Sequence, residues 1–300
     1  MSGPFHLEAT VRVLQRRPTD LLDHLVDGAF LRLHRTEEGL VLARVENQGT
    51  VDQPGLRLSF PAGEPSAVTR RKVVAITRRV LGLDVDVTAI ERRLRRIPAL
   101  RALATSLRGM RPPRFATLLE SFGRIVPYQQ LSLDAGSVLT NRMVERFGEK
   151  LEHEGLRYYA FPSAKRLASA TEDQFRSLGF SHAKGRTLIG IARAIVRGEL
   201  DERSIEALPS QQALEALVAI RGIGPWTASL LLLRGQRRLD SFPASDVGVN
   251  RGIAILLGED PKHFEADRFA EPFGAQRGML YFYALGAQLL GRGLITAQSG

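Results

Sequence analysis

Two short segments of this 300-residue sequence carry residue types from which chemistry could be built. The first is Gly222-Ile223-Gly224, followed directly by Pro225-Trp226-Thr227. Two glycines flanking an aliphatic residue predict a tight reversal, because glycine tolerates the positive φ angles such a turn demands. Pro225 suits the first turn of a following helix, where its missing N–H is no loss. The unpaired N–H groups of a helix start can receive an anion without a charged side chain. Gly222, Ile223, Gly224 and Thr227 are therefore the expected contacts to a phosphate backbone, with Ile223 buried to fasten the turn. The second segment is Phe242-Pro243-Ala244-Ser245-Asp246-Val247, which puts one carboxylate at the head of a helix twenty residues past Trp226. A carboxylate there can stabilise positive charge developing in a transition state, and can orient or deprotonate an attacking water. Capping alone also selects aspartate at that position.

The turn lies between two apolar stretches, Leu214 to Ile220 and Ser229 to Leu233, and the whole reads as a helix-hairpin-helix. Such an element grips a nucleic-acid backbone without reading its sequence. A Gly-Ile-Gly hairpin, a Gly/Pro-containing loop and an Asp heading a helix resemble the helix-hairpin-helix-Gly/Pro-Asp superfamily of DNA base-excision glycosylases. Upstream, Tyr128-Gln129-Gln130-Leu131-Ser132 resembles that family's Gln-Gln-x-Ser segment. With its β-rich N-terminal part, the chain is most similar to the bacterial 3-methyladenine DNA glycosylase II type.

The resemblance implies roles residue by residue. Asp246 would be the catalytic carboxylate, and Trp226, Gln129 and Tyr128 would line the base pocket. Gln130 or Leu131 would fill the gap left by an extruded nucleotide, since extrusion costs a few kcal/mol. Lys184, in Gly179-Phe180-Ser181-His182-Ala183-Lys184, would meet a phosphate, although an exposed lysine serving solubility fits as well. Trp226 stands where bifunctional members carry the Schiff-base lysine, which implies monofunctional hydrolysis that leaves an abasic site. An alkylated purine is cationic, and a cation over an indole face gains about 0.5–2 kcal/mol. It departs neutral, so no general acid is required. No cofactor or side-chain metal site is expected, while the family can hold a monovalent cation on hairpin backbone carbonyls. Leu230 and Leu285 occupy places where related bacterial enzymes carry pocket aromatics, and Tyr281, Phe282 and Tyr283 lie nearby with no facing assigned. Two rival readings keep the same hairpin: a non-catalytic protein that binds damaged DNA, or a glycosylase for deaminated, mismatched or oxidised bases.

Composition narrows the field further. There are no cysteines, which excludes disulfides, thiolate metal sites, iron–sulfur clusters and thiol nucleophiles. Forty-two Lys and Arg against 32 Asp and Glu give +10, which favours a polyanionic partner. Apolar runs such as Leu230 to Leu233 are too short for a bilayer. The start, Met1-Ser2-Gly3-Pro4-Phe5-His6, lacks a secretion-signal layout. The expectation is a cytoplasmic, nucleoid-associated monomer that acts on double-stranded DNA containing damaged bases, away from membranes.

The elements that must position these residues divide into two parts. An α+β chain is expected, with a small antiparallel β-rich domain over 1–100 and an all-helical glycosylase core over 101–300. That core would hold two helical subdomains with a cleft between them. Alternation of Phe5, Leu7, Ala9, Val11 and Val13 predicts a first strand, and Pro18-Thr19-Asp20 predicts a short helix through Leu25. Strands follow near Phe30–His34, Leu40–Val45 and Leu56–Phe60, and a helix from Ser66 to a stop at Gly82. Residues 70–96 hold nine basic residues against Asp84, Asp86 and Glu91, either a solvated face or a flank along a phosphate backbone. Past residue 100 no strand is predicted. Helices are expected near 114–123, 135–147, 163–169, 172–178, 182–197, 210–220, 225–235, 246–257 and 274–290.

Overall fold

A computed structural model of the chain describes residues 3–298. The first element is a helix, α1 (Leu7–Gln15), where alternation had predicted a strand. Seven of its nine residues are buried, so the apolar positions carry little periodicity of their own. The informative signal is the pair Glu8 and Arg12, one helical turn apart. His6 starts the helix by accepting the Ala9 N–H on Nδ1 at 3.3 Å. The helix predicted after Pro18 is likewise absent. Asp20 instead receives the Leu22 and Asp23 N–H groups, both at 2.9 Å, and this turn feeds the chain into a strand.

Four strands then form an antiparallel meander in the order β1 (Asp23–Val26), β2 (Ala29–Thr36), β3 (Gly39–Asn47) and β4 (Leu56–Ser59). Asp27 and Gly28, both at positive φ, make the tight turn between β1 and β2. Helices α2 (Ala67–Val80), α3 (Thr88–Arg95) and α4 (Pro98–Ser106) follow. Ser66 caps α2, and Gly82 at φ +66 ends that segment as predicted.

The helical part begins with α5 (Leu118–Ile125) and α6 (Leu133–Phe147). A hairpin then interrupts it, β5 (Glu149–His153) and β6 (Leu156–Ala160), where no strand was predicted. Its turn, Glu154-Gly155, has both residues at positive φ, as a tight two-residue hairpin requires. Tyr158 and Ala160 of β6 are buried with Leu31, Leu33 and Leu42, which ties the hairpin to the first sheet. Next come α7 (Ala164–Ala168), α8 (Glu172–Ser177), α9 (His182–Val196), α10 (Glu202–Ala207), α11 (Ser210–Val218) and α12 (Pro225–Leu230). A π-helical turn, Leu231–Gly235, prolongs α12. The chain closes with α13 (Val247–Leu257), α14 (Ala266–Ala270) and α15 (Met279–Gly291). The last helix starts later than predicted because Gly274, at φ +54, breaks the segment before it. Among the described residues no helix is long and apolar enough to cross a membrane.

One apolar core runs from α1 through α15, and a buried charge cluster fastens the first sheet to α5. Arg124 of α5 donates to Asp20 and Asp23, each at 2.5 Å, and to Glu120 at 3.2 Å. Arg32 of β2 donates to Asp23 and Glu120, each at 2.5 Å. Burial alone would raise Asp23, but the two guanidiniums outweigh it and hold its carboxyl below the usual range. Removing one partner of such a cluster strands the others in a dry interior. Arg124→Met is therefore expected to lower the unfolding free energy by about 3–5 kcal/mol in a urea titration.

His34, beside this cluster, gives the fold a pH dependence. Burial and then the neighbouring Arg32 push its pKa down to about 3. An unfolded chain protonates histidine near 6.5, so stability from this group is complete above that value and is lost as pH falls toward 3. Between those limits the loss is about 1.4 kcal/mol per pH unit. Denaturation of His34→Gln across pH 4 to 7 should show a correspondingly flatter slope than the parent chain.

Candidate active site

The Gly-Ile-Gly turn joins α11 to α12 and is built partly as its sequence predicts. Gly222 has φ +88, and a Cβ there would come within 2.2 Å of Thr187 Oγ1 on α9. Ile223 is buried in the core, and its N–H donates to the Ile220 carbonyl at 3.0 Å. Gly224 departs from expectation: it is extended (φ −93, ψ 175) and caps α12. Neither positive φ nor lack of space requires glycine at this position, since a Cβ there would meet nothing within 4 Å. Thr227 is buried and its hydroxyl is engaged by Gln129, so any contact it makes with a phosphate falls to its main-chain N–H.

Asp246 sits one residue before α13 and caps it, with Oδ1 accepting the Val249 N–H at 3.0 Å. Its other oxygen, Oδ2, accepts from Trp226 Nε1 at 3.1 Å. Asn250, one turn into α13, donates to the Ala244 carbonyl and pins the loop that delivers Asp246. Trp226 is half-buried and packs against the core while its indole N–H points at the carboxylate. The capping and catalytic readings of Asp246 thus describe one geometry, in which the cap leaves the second oxygen facing a neighbour across the turn.

Both residues open onto a cavity of about 840 Å³. The loop 126–132 forms a second wall. After a 3₁₀ turn at Val126–Tyr128, Gln130 takes φ +55, and Ser132 caps α6 by accepting the Ala135 N–H. Gln129 reaches across to the hairpin: Nε2 donates to the Gly222 carbonyl at 3.0 Å and to Thr227 Oγ1 at 2.9 Å. A carbonyl can only accept, so the amide nitrogen must face the hairpin, and Oε1 is left for anything bound in the cavity. Tyr128 lies against Gly136, where a Cβ would come within 2.4 Å of its ring. Gln130 and Leu131 are exposed at the cavity mouth. Tyr128, Gln129, Gln130, Leu131, Trp226 and Asp246 are all brought together.

Lys184 also borders the cavity, but its side chain turns inward. Nζ donates to the carbonyls of Pro127 at 3.0 Å and Gln129 at 2.7 Å. Two of the three ammonium protons are thus spent on carbonyls, so the partner that the structure records for Lys184 is the 126–132 loop.

Sequence reasoning missed some cavity residues and left others open. Arg16, the left-handed C-cap of α1, donates to the Tyr281 hydroxyl at 2.6 Å and lies 5.0 Å from the Tyr128 ring centroid. Nothing in the local sequence marks it, because its partner Tyr281 lies 265 residues away. Of the three adjacent aromatics on α15, Tyr281 faces the cavity, whereas Phe282 and Tyr283 are core. Leu285, one turn after Tyr281, also lines it, and Leu230 does not.

Both parts of the chain resemble known proteins. Residues 124–271 match the family described as HhH-GPD superfamily base excision DNA repair protein, and residues 1–117 match the AlkA N-terminal domain. A DNA-3-methyladenine glycosylase of Bacillus subtilis is 31% identical over 216 residues, covering 71% of each chain. The chain belongs to the HhH-GPD superfamily. A Mycobacterium tuberculosis relative, a probable bifunctional transcriptional activator/DNA repair enzyme AlkA, is 35% identical over 184 residues, 60% of this chain and 36% of its own length. The solved 3-methyladenine DNA-glycosylase from Archaeoglobus fulgidus shares the fold, with a TM-score of 0.79 at 22% identity over 96% of this chain and 97% of that one.

Within this HhH-GPD chain the two hairpin glycines should respond differently to a methyl group. Gly222→Ala combines a positive φ with the Thr187 clash and is expected to cost about 1–3 kcal/mol. Gly224→Ala should change stability by less than about 0.5 kcal/mol. Paired chemical denaturation curves check the contrast.

Proposed function

We propose that this chain is a monofunctional DNA glycosylase that extrudes an alkylated purine of the 3-methyladenine type from duplex DNA and hydrolyses its N-glycosidic bond. The observation that carries the reading is the Asp246 carboxylate, tied to Trp226 at the wall of an open cavity beside the Gly-Ile-Gly turn. The names of the B. subtilis and A. fulgidus proteins, both 3-methyladenine glycosylases, point the same way.

The chemistry follows from the residues. Main-chain N–H groups at the start of α12 receive a phosphate, aided by a chain that carries +10 overall. Gln130 and Leu131, exposed at the mouth, enter the space the nucleotide vacates. The flipped base lies against the Trp226 indole, whose face favours a cationic purine over a neutral one. As the C1′–N bond breaks, the base takes the bonding pair and leaves neutral, while positive charge spreads over C1′ and the ring oxygen. The Asp246 carboxylate stabilises that charge, and the water that adds to C1′ loses its proton toward the same oxygens. No lysine stands at the Trp226 position to attack C1′, so the strand remains intact with an abasic site. The Ile220 and Gly222 carbonyls of the hairpin accept from Ile223 and Gln129. Each keeps a second lone pair, so a monovalent cation on that turn remains compatible with it.

Asp246→Asn tests the reading. Release of free base from methylated duplex, followed chromatographically under single-turnover conditions, should fall by about 10²–10⁴-fold. Affinity for abasic-site DNA should persist. Undiminished release by the Asn variant would end the assignment, and no release by the parent chain would favour a binding protein without catalysis.

A further inference from the structure

Lys184 is the third residue of α9, and nothing in its sequence context explains where its ammonium goes. Among the described residues no carboxylate lies within ion-pair distance of it. It donates instead to two neutral carbonyls, those of Pro127 and Gln129, and burial lowers its pKa. These carbonyls flank Tyr128, and the second immediately precedes Gln130, which holds a left-handed backbone at φ +55. A non-glycine residue in that conformation costs about 1–3 kcal/mol and persists only where its surroundings fix it. One turn further along α9, Thr187 packs against Gly222 and lies 3.4 Å from the Arg221 carbonyl. Gln129 closes the circuit through the Gly222 carbonyl and Thr227. The first two turns of α9 therefore hold both the 126–132 loop and the hairpin, the two elements that face the cavity from opposite sides.

We propose that Lys184 is a positioning residue for base extrusion, holding Gln130 and Leu131 upright at the cavity mouth through the Pro127 and Gln129 carbonyls. The proposal rests on the glycosylase reading. It places Lys184 ahead of bond cleavage, on the equilibrium between stacked and extruded nucleotide. A loop already held in place pays no ordering entropy when it enters the stack. Loss of the ammonium would leave Asp246 and Trp226 untouched and raise the cost of extrusion alone.

The test uses full-length Lys184→Met and Lys184→Arg beside the parent chain. Single-turnover excision is measured on 7-methylguanine in a matched pair and in a single-nucleotide bulge, where unpairing is already complete. Lys184→Met should slow the matched substrate by about tenfold or more and the bulged one by less than about threefold, with Lys184→Arg retaining most of the activity. The slope of log affinity against log salt should not change, whereas loss of a phosphate contact would reduce it by about 1. Equal losses on both substrates, no loss on either, or a reduced salt slope would each overturn the proposal. Fluorescence of a 2-aminopurine beside the lesion reports extrusion in the same samples. A parent chain that extrudes without releasing base would sink the hydrolase reading, and the fluorescence of Lys184→Met would still decide the role of the lysine.

Discussion

Asp23 occupies the point on which the layers of the molecule meet. Its carboxylate has no solvent access and is held by Arg32 from the sheet and Arg124 from α5. Both guanidiniums share Glu120, and Arg124 also takes Asp20 and the Leu14 carbonyl at the end of α1. Three carboxylates face two guanidiniums here, and burial followed by the nearby Asp23 holds Asp20 above its usual range. A second buried arginine, Arg234 from the π-helical turn, donates to the Val13 and Leu14 carbonyls, and burial lowers its pKa to about 9. The buried carbonyls that end α1 without helical partners are thus satisfied from both sides by cations that apolar packing alone would not orient. Because α5 runs directly into the 126–132 loop, this cluster also sets where that loop stands.

Around that anchor the cavity is made by elements that restrain one another. Trp226 serves packing through its ring and the site through its N–H, so a single side chain joins the core to Asp246. Gln129 spends both amide hydrogens on the hairpin, which couples the loop that would fill the stack to the turn that would hold the backbone. Gly222 permits α9 to approach, and that approach puts Thr187 and Lys184 where they are needed. These are short polar contacts on stiff elements, the condition under which a site keeps its geometry without a ligand.

The candidate site residues were more legible than the elements that carry them. Gly222, Trp226 and Asp246 sit in a local pattern whose meaning depends on spacing along a few turns, and the structure brings them to one cavity. The same holds for the 126–132 loop, where a capping serine marks the start of α6. The first twenty-five residues were misread because α1 is buried on nearly all sides. When most positions are apolar, a period of two and a period of 3.6 become hard to tell apart. The β5–β6 hairpin escaped because its strands are short and mostly exposed, with only Tyr158, Tyr159 and Ala160 buried. Arg16 and the inward turn of Lys184 could not be read at all. Each depends on a partner far away in sequence, and a cation at a helix end carries no sign of which way it will bend.

The bond between Arg16 and Tyr281 spans 265 residues and joins the first described helix to the last. One wall of the cavity therefore does not exist until both helices have docked.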